Sequence, residues 1–193
     1  MEYIRLGDLG EIVSGGTPKT DVDEYWNGNN LWITPAELND DSYLIDNTLR
    51  KITDIAIKKS SVKLLPKGTV LLSSRAPIGK VAIANADMYC NQGFKNIICG
   101  DKLYNKFLYN FLKYKNEHIQ SLGRGATFKE ILKDIVSNII VPVYSIEEQK
   151  NVSYIFEKIS GLINIKNNEI EKCNQLIKSQ FVNHFSFGGG LWF

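Results

Sequence analysis

At 193 residues the chain is long enough for one well-cored domain plus an appendage and too short for two domains of ordinary size. Its composition, 44% hydrophobic and 23% charged with a formal net charge of +2, fits a soluble globular protein rather than a fibrous or disordered one. No uninterrupted apolar run is long enough for a membrane span, and the opening MEYIRLGDLGEI carries charges where a signal peptide needs an apolar core, so no membrane association and a cytoplasmic location are expected.

In chain order, the first part mixes strand-like runs (IRLGDL, LWIT, GTVLLSS, KVAIAN, FKNIIC, NIIVPV) with turn signals at Gly15-Gly16, Pro18, Pro66-Lys67-Gly68 and Pro77-Ile78-Gly79. DKLYNKFLYNFLKYKNEHIQ, residues 101–120, places Leu103, Phe107, Leu108, Phe111, Leu112 and Ile119 near the helical period. The pattern TFKE at 127–130 fits a capping box and predicts a short helix from Thr127 to about Val136. The glycine-rich approach Gly123, Arg124, Gly125 to that helix has two readings, a plain helix entry or an anion site at its N-terminus. The expected class is α+β, a mixed globular domain over residues 1–144.

After Pro142 the composition changes. SIEE at 145–148 is a second capping box, and from there to Phe187 there is no proline and one glycine, Gly161. Ile155, Ile159, Leu162, Ile170, Cys173, Ile177 and Phe181 keep one apolar stripe, interrupted by Lys166. A helix of roughly 40 residues is about 60 Å long, more than such a globule covers, so the stripe is expected to pack on a second copy of the chain. A helix folded back on its own domain is the alternative. This helical region is assigned to 145–187, followed by a tail at 188–193 in which Gly188 to Gly190 stop the helix.

Charge is unevenly spread. Residues 1–48 hold ten acids against Arg5 and Lys19, whereas residues 49–80 hold Arg50, Lys51, Lys58, Lys59, Lys63, Lys67, Arg75 and Lys80 against Asp54 alone. Such an excess suits a nucleic-acid face, although a solvated surface also produces it. Cys90, Cys99 and Cys173 are odd in number and form no CxxC pair, which favours buried thiols over a disulfide framework or a zinc site. PIGK at 77–80 fails as a phosphate-binding loop because Ser74 stands where the first glycine is needed and Val81 where a Ser or Thr is needed. No GxGxxG, HExxH or GxSxG is present, so the sequence nominates no catalytic residue, metal ligand or cofactor site.

Five blocks in order, LGDLGEIVSGGTPKT, YWNGNNLWITPAEL, LLPKGTVLLSSRAPIGKVAIA, CNQGF and VPVYSIEEQKNVSYIF, resemble the specificity subunits of type I restriction-modification systems. The resemblance implies a DNA target recognition domain followed by a conserved helical region. In the family two such units occur in tandem, with their helices in an antiparallel coiled coil. Each domain reads half of a split site, and methyltransferase subunits perform the chemistry. The expected partners are therefore double-stranded DNA, methyltransferase subunits carrying S-adenosylmethionine, a restriction or translocase subunit, and a second copy of this single-unit chain, the pair reading a split palindrome. A silent cassette that binds partners without directing methylation remains open, as does an unrecognised enzyme.

Under that resemblance, Thr17, Lys19, Ser73, Ser74, Arg75, Lys80, Arg124 and Thr127 are candidate phosphate contacts, with a purely structural role as the alternative for each turn. Base readout is expected outside the shared blocks, at residues 39–63 and 113–126, where Asn39, Tyr43, Arg50, Lys58, Lys59, Lys63, Lys115 and Gln120 offer donors and acceptors. Tyr25, Trp26 and Trp32 are read as packing aromatics rather than base-stacking platforms.

Overall fold

The computed structural model describes residues 1–125 and 129–186. It forms two compact units, Met1–Ser153 and Tyr154–Phe193.

The first unit is mixed α+β. β1 (Glu2–Arg5) pairs antiparallel with β10 (Ile140–Val143), joining the first residues to those just before the long helix. A five-stranded sheet runs in the order β2 (Gly10–Ser14), β9 (Lys95–Cys99), β6 (Val70–Leu72), β7 (Val81–Ala84), β4 (Leu44–Ile45), antiparallel except for β4 beside β7. A small sheet has β3 (Trp26–Ile33) at its centre, with β5 (Arg50–Ile52) antiparallel on one side and β8 (Tyr89–Cys90) parallel on the other. The helices are α1 (Leu6–Leu9), α2 (Asp54–Lys59), α3 (Asn105–Tyr114), α4 (Asn116–Ser121) and α5 (Lys133–Ser137).

Both faces of the large sheet are buried. On one, Val70, Leu72, Val81 and Ile83 meet Phe107, Leu108 and Leu112 of α3 and Ile119 of α4. On the other, Leu71, Ala82 and Ala84 meet Ile33, Leu65, Met88 and Phe94. Strands buried on both sides read as near-continuous apolar runs, which is why GTVLLSS and KVAIAN were legible. A third small core of Trp26, Trp32, Ile52, Ala56 and Val62 supports the small sheet and α2.

Three expectations are corrected. IRLGDL is not one strand: β1 ends at Arg5, and Leu6 and Leu9 are buried from the single turn of α1. The pattern at 101–120 breaks at Lys115 into α3 and α4. The helix expected from Thr127 starts at Lys133, because the Glu130 carboxylate is bound to Lys95 and Arg75 instead of capping a helix.

The second capping box forms as expected. Ser145 N–H and Oγ donate to Glu148 Oε2 at 3.0 and 2.6 Å, and Glu148 N–H returns a bond to Ser145 Oγ at 3.3 Å. From it runs α6 (Ile146–Ser186), 41 residues. Its first turns belong to the globular unit through Gln149, which is 0% exposed. That side chain accepts from Tyr104 N–H at 2.8 Å and donates to the carbonyls of Lys102 and Tyr144, each at 2.9 Å.

Candidate nucleic-acid interface

The turn at 73–80 is held by internal hydrogen bonds. Ser73 and Ser74 are both 0% exposed, which corrects their expected place at a phosphate. Ser73 Oγ donates to Pro77 O at 2.5 Å and accepts from Lys80 N–H at 2.8 Å, closing the turn on itself. Ser74 Oγ accepts from Lys95 Nζ at 3.3 Å. Gly79 has φ +88°, and a Cβ there would collide with the Asn116 side chain of α4, so this corner needs glycine.

The cations of the turn have internal partners. Lys80 Nζ meets Asp40 Oδ1 at 2.5 Å, and the hydrogen bond and charge of Lys80, with a smaller contribution from Lys113, hold the Asp40 carboxyl below its ordinary range. Arg75 Nε meets Glu130 Oε2 and Lys95 Nζ meets Glu130 Oε1, both at 3.0 Å. Burial alone would raise the Glu130 carboxyl, but Lys95 and then Arg75, each by hydrogen bond and charge, outweigh it and hold the group ionised. Arg75 keeps about half of its side chain exposed, at 47%, so it alone of the four residues nominated here retains a substantial solvent-facing surface.

The Gly15–Lys19 stretch is pinned from below. A Cβ on Gly15 would collide with the Asn91 carbonyl, Thr17 Oγ1 donates to Gln92 Oε1, and Trp32 Nε1 and Trp26 Nε1 donate to the carbonyls of Gly16 and Lys19 at 3.1 and 3.2 Å. The Lys19 side chain is exposed.

Residues nominated for base readout fall into separate groups. Asn39 closes an Asx turn, its Oδ1 accepting from Asp41 N–H at 2.9 Å, and Tyr43 packs on Tyr109 with ring centroids 4.9 Å apart. Lys115 and Arg124 line a cleft of about 530 Å³ together with His118, Asp134 and the apolar side chains of Phe111, Leu122, Ile135 and Ile139. Gln120, beside it on α4, donates to Asn116 Oδ1 at 3.3 Å. Thr127 lies outside the described residues.

Arg50, Lys58, Lys59 and Lys63 share the small-sheet region and are exposed. Among the described residues none of them forms an ion pair, and neither does Lys51 of β5. Among the described residues the cations of the basic segment without an ion pair therefore lie at 50–67 and those with one at 75–80. Sequence reasoning missed Lys95 and Glu130. The signal for Lys95 was present, a lysine inside the apolar strand run FKNIIC.

Along α6 every nominated stripe residue is exposed on the single chain: Ile155, Ile159, Leu162, Ile170, Cys173, Ile177 and Phe181, with Leu162 at 63%. Phe156, Ile163, Ile165 and Leu176 widen the apolar surface and were not nominated. Lys166, within the stripe, pairs with Glu169 at 2.8 Å. The expectation of buried thiols holds for Cys90 and is partial for Cys99, while Cys173, in the stripe assigned to pairing, is exposed on the single chain. Burial pushes the Cys90 and Cys99 thiols up to about 12.

Among the described residues no group of three or more His, Cys, Asp or Glu side chains converges as a metal site requires, and no helix is long and apolar enough to cross a membrane.

A family model described as the type I restriction modification DNA specificity domain matches residues 1–175. The chain belongs to this family. Within it, the MjaIX specificity subunit of Methanocaldococcus jannaschii is 38% identical over 184 residues, covering 94% of this chain and 43% of that protein. The EcoR124I/EcoR124II specificity subunit of Escherichia coli is 28% identical over 171 residues, covering 85% and 42%. The fold matches a chain from a structure of a type I R-M system, described by its complex assembly and conformational transition, with a TM-score of 0.78 at 22% identity over 93% of this chain and 43% of that one. The HsdS subunit of Thermoanaerobacter tengcongensis gives 0.68 at 20% identity, covering 85% and 38%. The chain thus spans less than half the length of each of these matches.

Proposed function

We propose that this chain is a non-catalytic DNA-specificity subunit carrying one target recognition domain, and that it works as a homodimer in the cytoplasm. In this reading two copies join through the apolar face of α6, which spaces two identical domains so that each reads one half of a split palindromic site. Methyltransferase subunits, holding S-adenosylmethionine, and a restriction subunit are the partners recruited to the site so marked.

The observation that carries the reading is the exposed apolar face of α6 from Ile155 to Phe181. Contiguous apolar surface of that length is costly in water and marks an interaction surface. The opposite charges of Lys166 and Glu169 favour an antiparallel pair over a parallel one, since parallel in-register helices set Lys166 against its own copy.

The test is a genome-wide map of DNA methylation in the native host with and without the gene. Loss of one split palindromic motif on deletion supports the reading. An unchanged methylation map in a strain that expresses the protein rejects it and leaves the cassette that binds partners without directing them.

A further inference from the structure

The small sheet carries a charged feature that the scaffold does not use. Arg50 opens β5 and is exposed, and its guanidinium carbon lies 3.6 Å from the centroid of the Trp26 ring and 5.4 Å from that of Trp32. The two indoles meet edge to face at 5.1 Å and are 9% and 2% exposed. Each is fixed through its N–H, Trp26 to Lys19 O and Trp32 to Gly16 O. The guanidinium therefore rests on a rigid, buried aromatic floor.

Nothing among the described residues neutralises it. Arg75 has Glu130 and Lys80 has Asp40, whereas Arg50 forms no ion pair. Lys51, Lys58, Lys59 and Lys63 of the same basic segment likewise form no ion pair among the described residues, and the one acid of that segment, Asp54, accepts from Asn30 Nδ2 at 2.9 Å. A structural cap over Trp26 requires only an apolar stem. It does not require an exposed guanidinium without an ion pair.

We propose that Arg50 is a base-reading residue of this domain, its fork presented to the O6 and N7 acceptors of a guanine, with Trp26 as its positioning residue. The inference rests on the DNA-recognition reading above. Stacking on Trp26 fixes the plane of the guanidinium before DNA arrives and so reduces the rotamer freedom lost on binding. The planar fork meets the paired O6 and N7 acceptors of guanine with a fixed geometry that a point ammonium holds less strictly, and of phosphate and guanine contacts only the second carries sequence information, so its loss shows at one motif position. The lysines of the same segment supply the attraction to the DNA backbone, which carries no sequence information.

The experiment is a methylation map of the native host deleted for the gene and complemented with the wild-type, Arg50→Lys, Trp26→Leu or Trp26→Phe gene. Arg50→Lys keeps the charge and removes the fork. The expected wild-type motif contains a specified guanine in each half-site. With Arg50→Lys that position accepts other bases, its discrimination falling roughly ten- to a hundredfold, while the remaining positions hold. Trp26→Leu relaxes the same position, and Trp26→Phe restores most of the preference. A wild-type motif without a specified guanine overturns the proposal, as does an Arg50→Lys motif identical to wild type. Uniform loss of methylation at every site with Arg50→Lys overturns it too, because that marks a backbone contact or a role in the fold. If the wild-type gene directs no motif, the DNA-recognition reading itself fails and this inference falls with it, an outcome distinct from failure at Arg50 alone.

Discussion

Lys95 and Arg75 hold opposite oxygens of the same carboxylate, Glu130 Oε1 and Oε2, each at 3.0 Å. Lys95 is buried, with 8% of its side chain exposed, and Arg75 is half exposed, so the three groups form a gradient from the core to the surface. The buried end decides the energetics. Removing Glu130 leaves an uncompensated ammonium in β9, whereas removing Arg75 leaves a carboxylate still paired with Lys95.

Glu130→Ala is accordingly expected to destabilise the globular unit by about 2–3 kcal/mol, and Arg75→Ala by less than about 1 kcal/mol. Adding Lys95→Met to Glu130→Ala recovers part of the loss, because both charges are then gone. Urea unfolding of the single and double variants measures each cost, and equal costs for the two single changes contradict the gradient.

The same carboxylate sets an acid limb to stability. Its folded value lies below the ordinary 4.5, so between the two values the unfolded chain binds more protons and stability rises with pH. The contribution is fully present above about 4.5 and is lost as pH falls through the folded value. Urea midpoints of wild type and Glu130→Gln are expected to differ at neutral pH and to converge on acidification. A constant difference across that range rules out the ion pair as its source.

Gln149 fastens the start of α6 to the globule by binding three backbone groups, those of Lys102, Tyr104 and Tyr144, from a fully buried position. Gln149→Leu fills similar volume but orphans all three, and a loss of roughly 2–4 kcal/mol is expected. Hydrogen exchange at Tyr104 N–H is the direct check, since protection there should fall towards that of an unbonded amide.

The helix face gives a prediction about association. Replacing Ile159 and Leu162 together with Asp puts two charges into the stripe and is expected to convert a dimer into a monomer at micromolar concentration, measured by light scattering. The apolar positions are also arranged symmetrically: Ile155 and Phe181 lie equally far on either side of Asn168, as do Ile159 and Ile177. An antiparallel pair centred there places Leu162 near Cys173 of the second copy. Leu162→Cys is then expected to form an intermolecular disulfide with Cys173 under mild oxidation, and a dimer that forms without this crosslink has another register.

Thiol labelling separates the same states. Cys90 and Cys99, with thiols pushed up to about 12, are expected to stay unreactive at pH 8 until the globule unfolds. Cys173 is exposed on the single chain, so its labelling should be fast when dilute and slow as concentration rises. Concentration-independent labelling of Cys173 argues against burial of the stripe.

What the sequence determined by itself was local. The capping box at Ser145, the unbroken helical run behind it and the apolar strands of the large sheet all follow from residues within a few positions of one another, and all are present. The ordered blocks that carried the family resemblance lie in this part of the code. Only the tertiary structure decided which charges were available. The patterns at 127–130 and 145–148 are equivalent in sequence, yet Glu148 caps its helix while Glu130 is taken by Lys95, a partner 35 residues away. Lys80 is likewise neutralised by Asp40 across 40 residues, while Lys58 and Lys59, which looked no different, remain free of ion pairs. The physical reason is the range of the forces involved. Capping and periodicity are set by bonds between neighbours along the chain, whereas a charge is satisfied by whatever the fold brings within about 3 Å of it, and a buried ammonium outcompetes a helix N-terminus for the same carboxylate.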